Sequence, residues 1–295
     1  MSKRGGKVSP EVGVYYPRTV ETLIRKIWFR PRIPAGKARR LGLIERMMGR
    51  RRIRVLTRPG FLFACDQTDW LQRNLLCNRI HEQEVTDQLT TAFKSDDIFF
   101  DVGANTGYFS CLALYSGVAG VTAFEPDPDT CVVMDGQRQL NGWDEAALSI
   151  VPMGLSDENG HQQLIRGSDS GESGFGDWPH REPVGRIEVE VITLDEYSRQ
   201  TGRYPSVLKI DVEGWEYPVL RGAAAVLQNP ILRLVVFEAA CDAKGIIADL
   251  RLPELLERAG FGVSHLPRPS GQIKPTENYM ALRGTDEIRR ESANS

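Results

Sequence analysis

Two stretches of this 295-residue chain carry residue types at spacings that can do chemistry. The first is Asp101-Val102-Gly103-Ala104-Asn105-Thr106-Gly107, which follows the apolar run Ile98-Phe99-Phe100. Glycine permits positive φ and close approach of backbone to a ligand, and the helix start that follows favours negative groups. Dinucleotide sites that seat a pyrophosphate usually read GxGxxG. This turn reads DxGxxxG, with an acid two residues before its first glycine. A carboxylate there repels a pyrophosphate and suits a ligand with a cationic or amino end. Glu125 closes the next apolar run, Val121-Thr122-Ala123-Phe124, and an acid at such a strand end can accept hydrogen bonds from both ribose hydroxyls. Acid, glycine turn and second acid form the pattern expected for S-adenosylmethionine, which has a ribose, a sulfonium, an α-amino group and no phosphate. Gly154-Leu155-Ser156-Asp157 follows a third run and would flank the adenine, although Gly, Ser and Asp also make a plain turn.

The second stretch is Lys209-Ile210-Asp211-Val212-Glu213-Gly214-Trp215-Glu216, which begins inside an apolar run and leaves its carboxyl end. Strand alternation puts Lys209, Asp211 and Glu213 on one face. Charges in a buried strand are costly unless paired, so a structural Lys–Asp pair is one reading. The other is catalytic. Methyl transfer is an in-line displacement at a sulfonium methyl, governed by positioning. A neutral hydroxyl attacks faster when a base takes its proton. Asp211 and Glu213 are the candidate bases, with Lys209 tuning them. His180, in a Gly-rich loop with Phe175 and Trp178, is a weaker one. No [DN]PP[YF] cradle for nucleobase amino groups is present, and no His/Asp pattern assigns a metal, although Asp211 and Glu213 have the hard oxygens a divalent ion would take.

The elements that must position these residues alternate. A hairpin is expected over 53–66 around Arg58-Pro59-Gly60, and a helix over 82–94. Strands follow at 98–100, 121–124, 149–153, 207–210 and 234–237. Helices are expected at 108–115, 128–140 and 252–258. Residues 162–165 and 187–192 read as a strand pair around a Gly-rich loop at 167–185. This alternation implies a doubly wound, mostly parallel α/β sheet with an inserted β-hairpin. In such sheets ligands bind beyond the carboxyl ends of the strands, where both stretches fall.

Composition removes other classes. The chain is 41% hydrophobic and 26% charged, ordinary for a globular domain. The uncharged window 102–124 is broken by nine Gly, Ser, Thr or Asn residues, so it is no membrane span of about 20 apolar residues. No apolar leader follows the first residues, and a cytoplasmic location is expected. Five scattered cysteines without a CxxC pair read as buried reduced thiols. The net charge of −2 conceals a basic arm: residues 1–60 hold 17 Lys+Arg against 3 Asp+Glu. Val20, Leu23, Ile24, Ile27 and Trp28 have helical spacing within it. Docking on the acidic body and peripheral attachment to an anionic inner membrane face both fit. Nucleic acid is not favoured, because no recognised module is present.

The chain resembles the FkbM-type S-adenosylmethionine-dependent methyltransferases over roughly residues 53–283. The resemblance is carried by the hairpin and the following Glu82, DVGANTGYFS at 101–110, FEPDP at 124–128, Asn141, GLSDENG at 154–160, TLDEY at 193–197, LKIDVEGWEYPVLRGA at 208–223 and VFE at 236–238. Trp215 departs from the smaller residue common there, and the 167–185 loop is this chain's own. The resemblance implies a class I (Rossmann-like) methyltransferase fold and O-methylation of a hydroxyl on a sugar, glycan, lipid-linked saccharide or secondary metabolite. It implies that Asp101, Gly103, Asn105, Gly107, Glu125 and Asp211 contact the methyl donor; Ala104, Leu155 and Ser156 join them by position. The expected organisation is a basic helical arm (1–52), the methyltransferase domain (53–283) and a polar tail (284–295). A nicotinamide-dependent oxidoreductase, or a non-catalytic membrane- or nucleic-acid-associated protein on the same fold, are the alternatives.

Overall fold

The computed structural model describes residues 52–66, 69–167, 171, 173–175 and 183–284. The basic arm up to residue 51, Trp178, His180 and the tail beyond 284 lie outside the described residues. Backbone contacts group the chain into two units, the second beginning at Glu82. In the first, β1 (Arg52–Leu56) and β2 (Leu62–Asp66) pair antiparallel, Arg52 opposite Asp66, as the expected hairpin. Helix α1 (Trp70–Asn78) follows, capped by the Asp69 carboxylate on the Gln72 N–H.

The second unit runs α2 (Gln83–Ala92), β3 (Ile98–Val102), α3 (Tyr108–Tyr115), β4 (Gly120–Phe124), α4 (Pro128–Leu140), β5 (Leu148–Val151), β6 (Gly154–Leu155), β7 (Gly160–Arg166), β8 (Gly174–Phe175) and β9 (Gly185–Ile192). It continues through α5 (Leu194–Thr201), β10 (Val207–Ile210), α6 (Glu216–Arg221), α7 (Ala224–Gln228), β11 (Leu234–Ala240), α8 (Arg251–Arg258), β12 (Phe261–Leu266) and β13 (Thr276–Arg283). Seven strands form one sheet in the order β12-β13-β11-β10-β3-β4-β5. Every neighbouring pair is parallel except those made by β13, which runs against both β11 and β12. The mostly parallel, doubly wound sheet is therefore as expected. The chain builds β3, β4 and β5 outward, then returns to lay β10 against the other side of β3. That reversal opens a crevice at the carboxyl ends of β3 and β10.

The sheet divides the core by strand alternation. Phe100, Val102, Leu208, Ile210, Val235, Phe237 and Ala239 pack on one face with Val219, Leu220 and Leu256 of α6 and α8. The alternate positions, including Asp101 and Lys209, face the other way. Caps fix the helix starts: Asp127 accepts from the Asp129 N–H with Pro128 at the first position of α4, and Thr193 accepts from the Glu196 N–H in α5.

Three expectations change. The inserted hairpin is larger than a hairpin: β7 and β9 pair antiparallel, and β8 and β6 extend them into a four-stranded sheet of order β6-β9-β7-β8. Strand β8 lies inside the stretch read as a Gly-rich loop. The last two strands were missed, because Ser264, His265, Glu277 and Asn278 interrupt the apolar alternation. The cysteines are all free, but only Cys65 and Cys111 are buried; Cys131 and Cys241 are half-buried and Cys77 is exposed.

Gly103 fixes how closely the two central strands approach. It adopts φ +71°, and a Cβ built there would lie 1.9 Å from the Asp211 carbonyl oxygen. Gly142 has a similar φ of +75° but nothing within 4 Å of its Cβ position. Gly103→Ala should therefore cost about 3 kcal/mol or more, strain plus overpacking, and Gly142→Ala about 1 kcal/mol from strain alone. Urea denaturation of both variants measures the difference; equal losses would show that the turn is not pinned against β10.

Candidate functional site

Asp101 is the last but one residue of β3 and is buried, 1% exposed. One carboxylate oxygen, Oδ2, accepts from the Ser110 hydroxyl at 2.7 Å; the other, Oδ1, is buried without a partner. Burial pushes its pKa up, against the opposing charge of Lys209. The turn that follows is tied to β4, since the Gly103 and Ala104 N–H groups both donate to the Phe124 carbonyl at 3.0 Å. Asn105 sits at φ +50°, an uncommon conformation that asparagine tolerates better than most residues, and its side-chain oxygen is also buried and unpartnered. Gly107, at φ +87°, starts α3 against Met134, where a Cβ would meet the Met134 side chain at 2.6 Å.

Glu125 is held over this turn. Its Oε2 accepts from the Asn105 N–H and its Oε1 from the Asp127 N–H, each at 2.9 Å. One carboxylate thus joins the loops after β3 and β4. Burial raises its pKa to about 7, and the two backbone N–H groups oppose that rise. Arg166, at the end of β7, bonds Asp127 at 2.6 Å and Asp129 at 3.0 Å, and so anchors the inserted sheet to the Glu125 loop.

Lys209 lies opposite Asp101 in the β3–β10 ladder and opposite Val236 in β11. Its ammonium is buried, 2.9 Å from Asp211 Oδ2 and 4.6 Å above the Phe109 ring. Burial alone would lower its pKa, but Asp211, Asp101 and Glu82 together hold it above the ordinary lysine range. Lys209 is therefore a fixed positive charge. The segment after β10 is shaped by Glu216, whose Oε1 accepts from the Val212 and Gly214 N–H groups, each at 3.2 Å. Glu213 takes φ +53° within that segment, and its carboxylate comes within 4.8 Å of those of Asp211 and Glu238.

The adenine-side candidates are placed differently. Leu155 is buried in the sheet core, and Ser156 is fully buried. The Ser156 hydroxyl accepts from Trp215 Nε1 and Gln162 Nε2, both at 3.2 Å, and lies 3.1 Å from Asp157. The structure thus brings Asp101, Gly103, Ala104, Asn105, Gly107 and Glu125 together at one strand edge with Lys209, Asp211 and Glu213 beside them. Leu155 and Ser156 are engaged with the protein's own core. Glu238 and Arg166 were not picked out as site residues: a lone acid at a strand end and a lone arginine in a hairpin carry no spacing signal.

Residues 101–261 match the family model described as Methyltransferase FkbM domain. The chain belongs to the FkbM methyltransferase family. The fold is accordingly the class I methyltransferase fold that the sequence resemblance implies, and the nicotinamide reading is not favoured. Among curated proteins, this FkbM chain is similar to the hexuronic acid methyltransferase AglP of Haloferax volcanii, 32% identical over 176 residues, covering 56% of this chain and 66% of that protein. It is also similar to methyltransferase 1 of Beauveria bassiana, 25% identical over 225 residues, covering 69% of this chain and 88% of that protein. The chain thus spans just under two thirds of the first relative. Among solved structures it aligns with the methyltransferase FkbM of Methylobacillus flagellatus at 15% identity and a TM-score of 0.46, covering 64% of this chain and 44% of that one.

The residues present fit the methyl donor the family implies. Two buried acceptor atoms at that edge, Asp101 Oδ1 and Asn105 Oδ1, lack partners and are free to receive donor groups of a ligand. If Glu125 receives the ribose hydroxyls, Glu125→Ala should weaken S-adenosylhomocysteine binding by about 1–3 kcal/mol. A protonated Glu125 loses acceptor capacity, and its pKa is raised to about 7, so wild-type affinity should rise with pH through that value and flatten above it. Calorimetry across that range checks both; a pH-independent affinity in the wild type would remove Glu125 from the ligand.

Proposed function

We propose that this protein transfers a methyl group from S-adenosylmethionine to an oxygen of a sugar or glycan acceptor. The observation that supports it best is the convergence of Asp101, Asn105 and Glu125 on one strand edge, in a chain of the FkbM family. When bound, the donor supplies an electrophilic methyl on a cationic sulfur. The chain's own residues do the rest. Glu125 and the Asn105 turn hold the ribose end, and Asp101 takes the amino end. The Lys209–Asp211 pair fixes the charge at the edge where the methyl is presented. Displacement needs the attacking atom within about 3–3.5 Å and in line, so rigid placement of these groups is the main contribution the fold makes. The similarity to a protein named for hexuronic acid supports a saccharide acceptor.

Calorimetry with S-adenosylhomocysteine and with NAD tests the donor. Binding of the first alone is expected; binding of NAD alone would reject the reading. Asp211→Asn removes the charge fixed at that edge and should slow turnover on the acceptor by about 10²-fold or more; because it also unpairs the buried Lys209 ammonium, the melting temperature should fall as well. The acceptor itself can be found by mass spectrometry of saccharides that gain one CH2 in an overexpressing strain.

A further inference from the structure

Glu238 follows the apolar run Leu234-Val235-Val236-Phe237, and the sheet register carries it to the reacting edge. Lys209 pairs with Val236 and Ile210 with Phe237, so the next step of the β10–β11 ladder sets Asp211 beside Glu238. Phe237 and Ala239 point into the core, which turns Glu238 to the opposite face, the one occupied by Lys209 and Asp101. The carboxylate oxygens of Asp211, Glu213 and Glu238 all lie within 4.8 Å of one another. Glu82, just before α2, adds a fourth acid whose charge acts on both Glu238 and Lys209. From β13, Thr276 donates a hydrogen bond to Glu238. Arg268, in the β12–β13 connection, is ion-paired with Glu277 at 2.9 Å and Glu84 at 3.6 Å. Among the described residues, the charges of Asp211, Glu82 and Glu213 all act on Glu238.

We propose that Glu238 is the proton acceptor of the methyl transfer, and that the acceptor atom is therefore a neutral hydroxyl rather than a carboxylate. This rests on the methyl-donor reading above. Repulsion in the cluster is relieved by a proton, and Glu238, half-buried and facing Asp211, Glu82 and Glu213, has its pKa raised to about 9. It carries a proton at neutral pH until a cationic sulfonium arrives beside it, which drives that proton to solvent. As the hydroxyl oxygen bonds to the methyl carbon, the carbon–sulfur bond breaks and its electron pair stays on sulfur. The hydroxyl proton passes to the Glu238 carboxylate. The products are a methyl ether, a neutral thioether and protonated Glu238, which is the starting form. A carboxylate acceptor would bring no proton to remove.

The test is calorimetry of S-adenosylmethionine and S-adenosylhomocysteine binding near neutral pH, in buffers of different ionisation enthalpy. The two ligands share the ribose, so Glu125 contributes equally to both and cancels in the comparison. The charged donor should release about one proton more than the neutral product, and the difference should disappear in Glu238→Gln while both ligands still bind. In the wild type it should also fade as pH rises past about 9, where Glu238 is already ionised; this decides the matter if the variant does not fold. Equal proton release by the two ligands, or a difference that survives Glu238→Gln, would overturn the proposal. So would a difference abolished by millimolar magnesium, which would assign the carboxylates to a metal. Failure of both ligands to bind would instead reject the methyl-donor reading, and the proposal with it.

Discussion

An ammonium buried under the carboxyl edge of a parallel sheet is the constraint on which the site depends. Lys209 is withdrawn from water, and a charge so placed is tolerable only when paired. Its partners are supplied by geometry: Asp101 from the neighbouring strand, directly opposite it, and Asp211 two residues on, just past the end of β10. The pairing explains why two acids stand where an apolar residue would pack better. It also gives the glycine turn its place, because Gly103 must pass within contact of the Asp211 backbone for β3 and β10 to lie in register.

Glu125 performs the corresponding task on the other side of β3. By accepting from Asn105 and Asp127 it ties two loops that share no strand. Each of its oxygens keeps a further lone pair for a ligand hydroxyl, so one side chain can be both a brace and a receptor. The inserted sheet supports the arrangement from outside. Arg166 grips Asp127 at one end, and Phe175 packs on Trp215 near the other, with ring centroids 5.9 Å apart. The insertion thus bears on the loop that presents Glu125 and on the segment that carries Glu213.

Much of this could be read from the sequence, for identifiable reasons. The central strands are short apolar runs ended by acids and glycines, and buried parallel strands leave that signature. DxGxxxG and the acid after the next run located the donor edge without coordinates. What escaped depended on partners far along the chain. Strands β12 and β13 alternate weakly and are defined by pairing, not by their own residues. Leu155 and Ser156 are expected beside the adenine from their position after a strand, which says nothing of what their side chains touch. Only the structure shows the Ser156 hydroxyl occupied by Trp215 and Gln162. Glu238 was visible as the end of VFE, but its neighbours come from α2, β10 and β13, which no local spacing reveals. No helix among the described residues is long and apolar enough to cross a membrane.

A crystal structure of the protein with S-adenosylhomocysteine tests the central claim most directly. The account places both ribose hydroxyls on the Glu125 carboxylate and the α-amino group against Asp101, with the sulfur beside Asp211. A ligand bound elsewhere, or one whose ribose leaves Glu125 untouched, would contradict it.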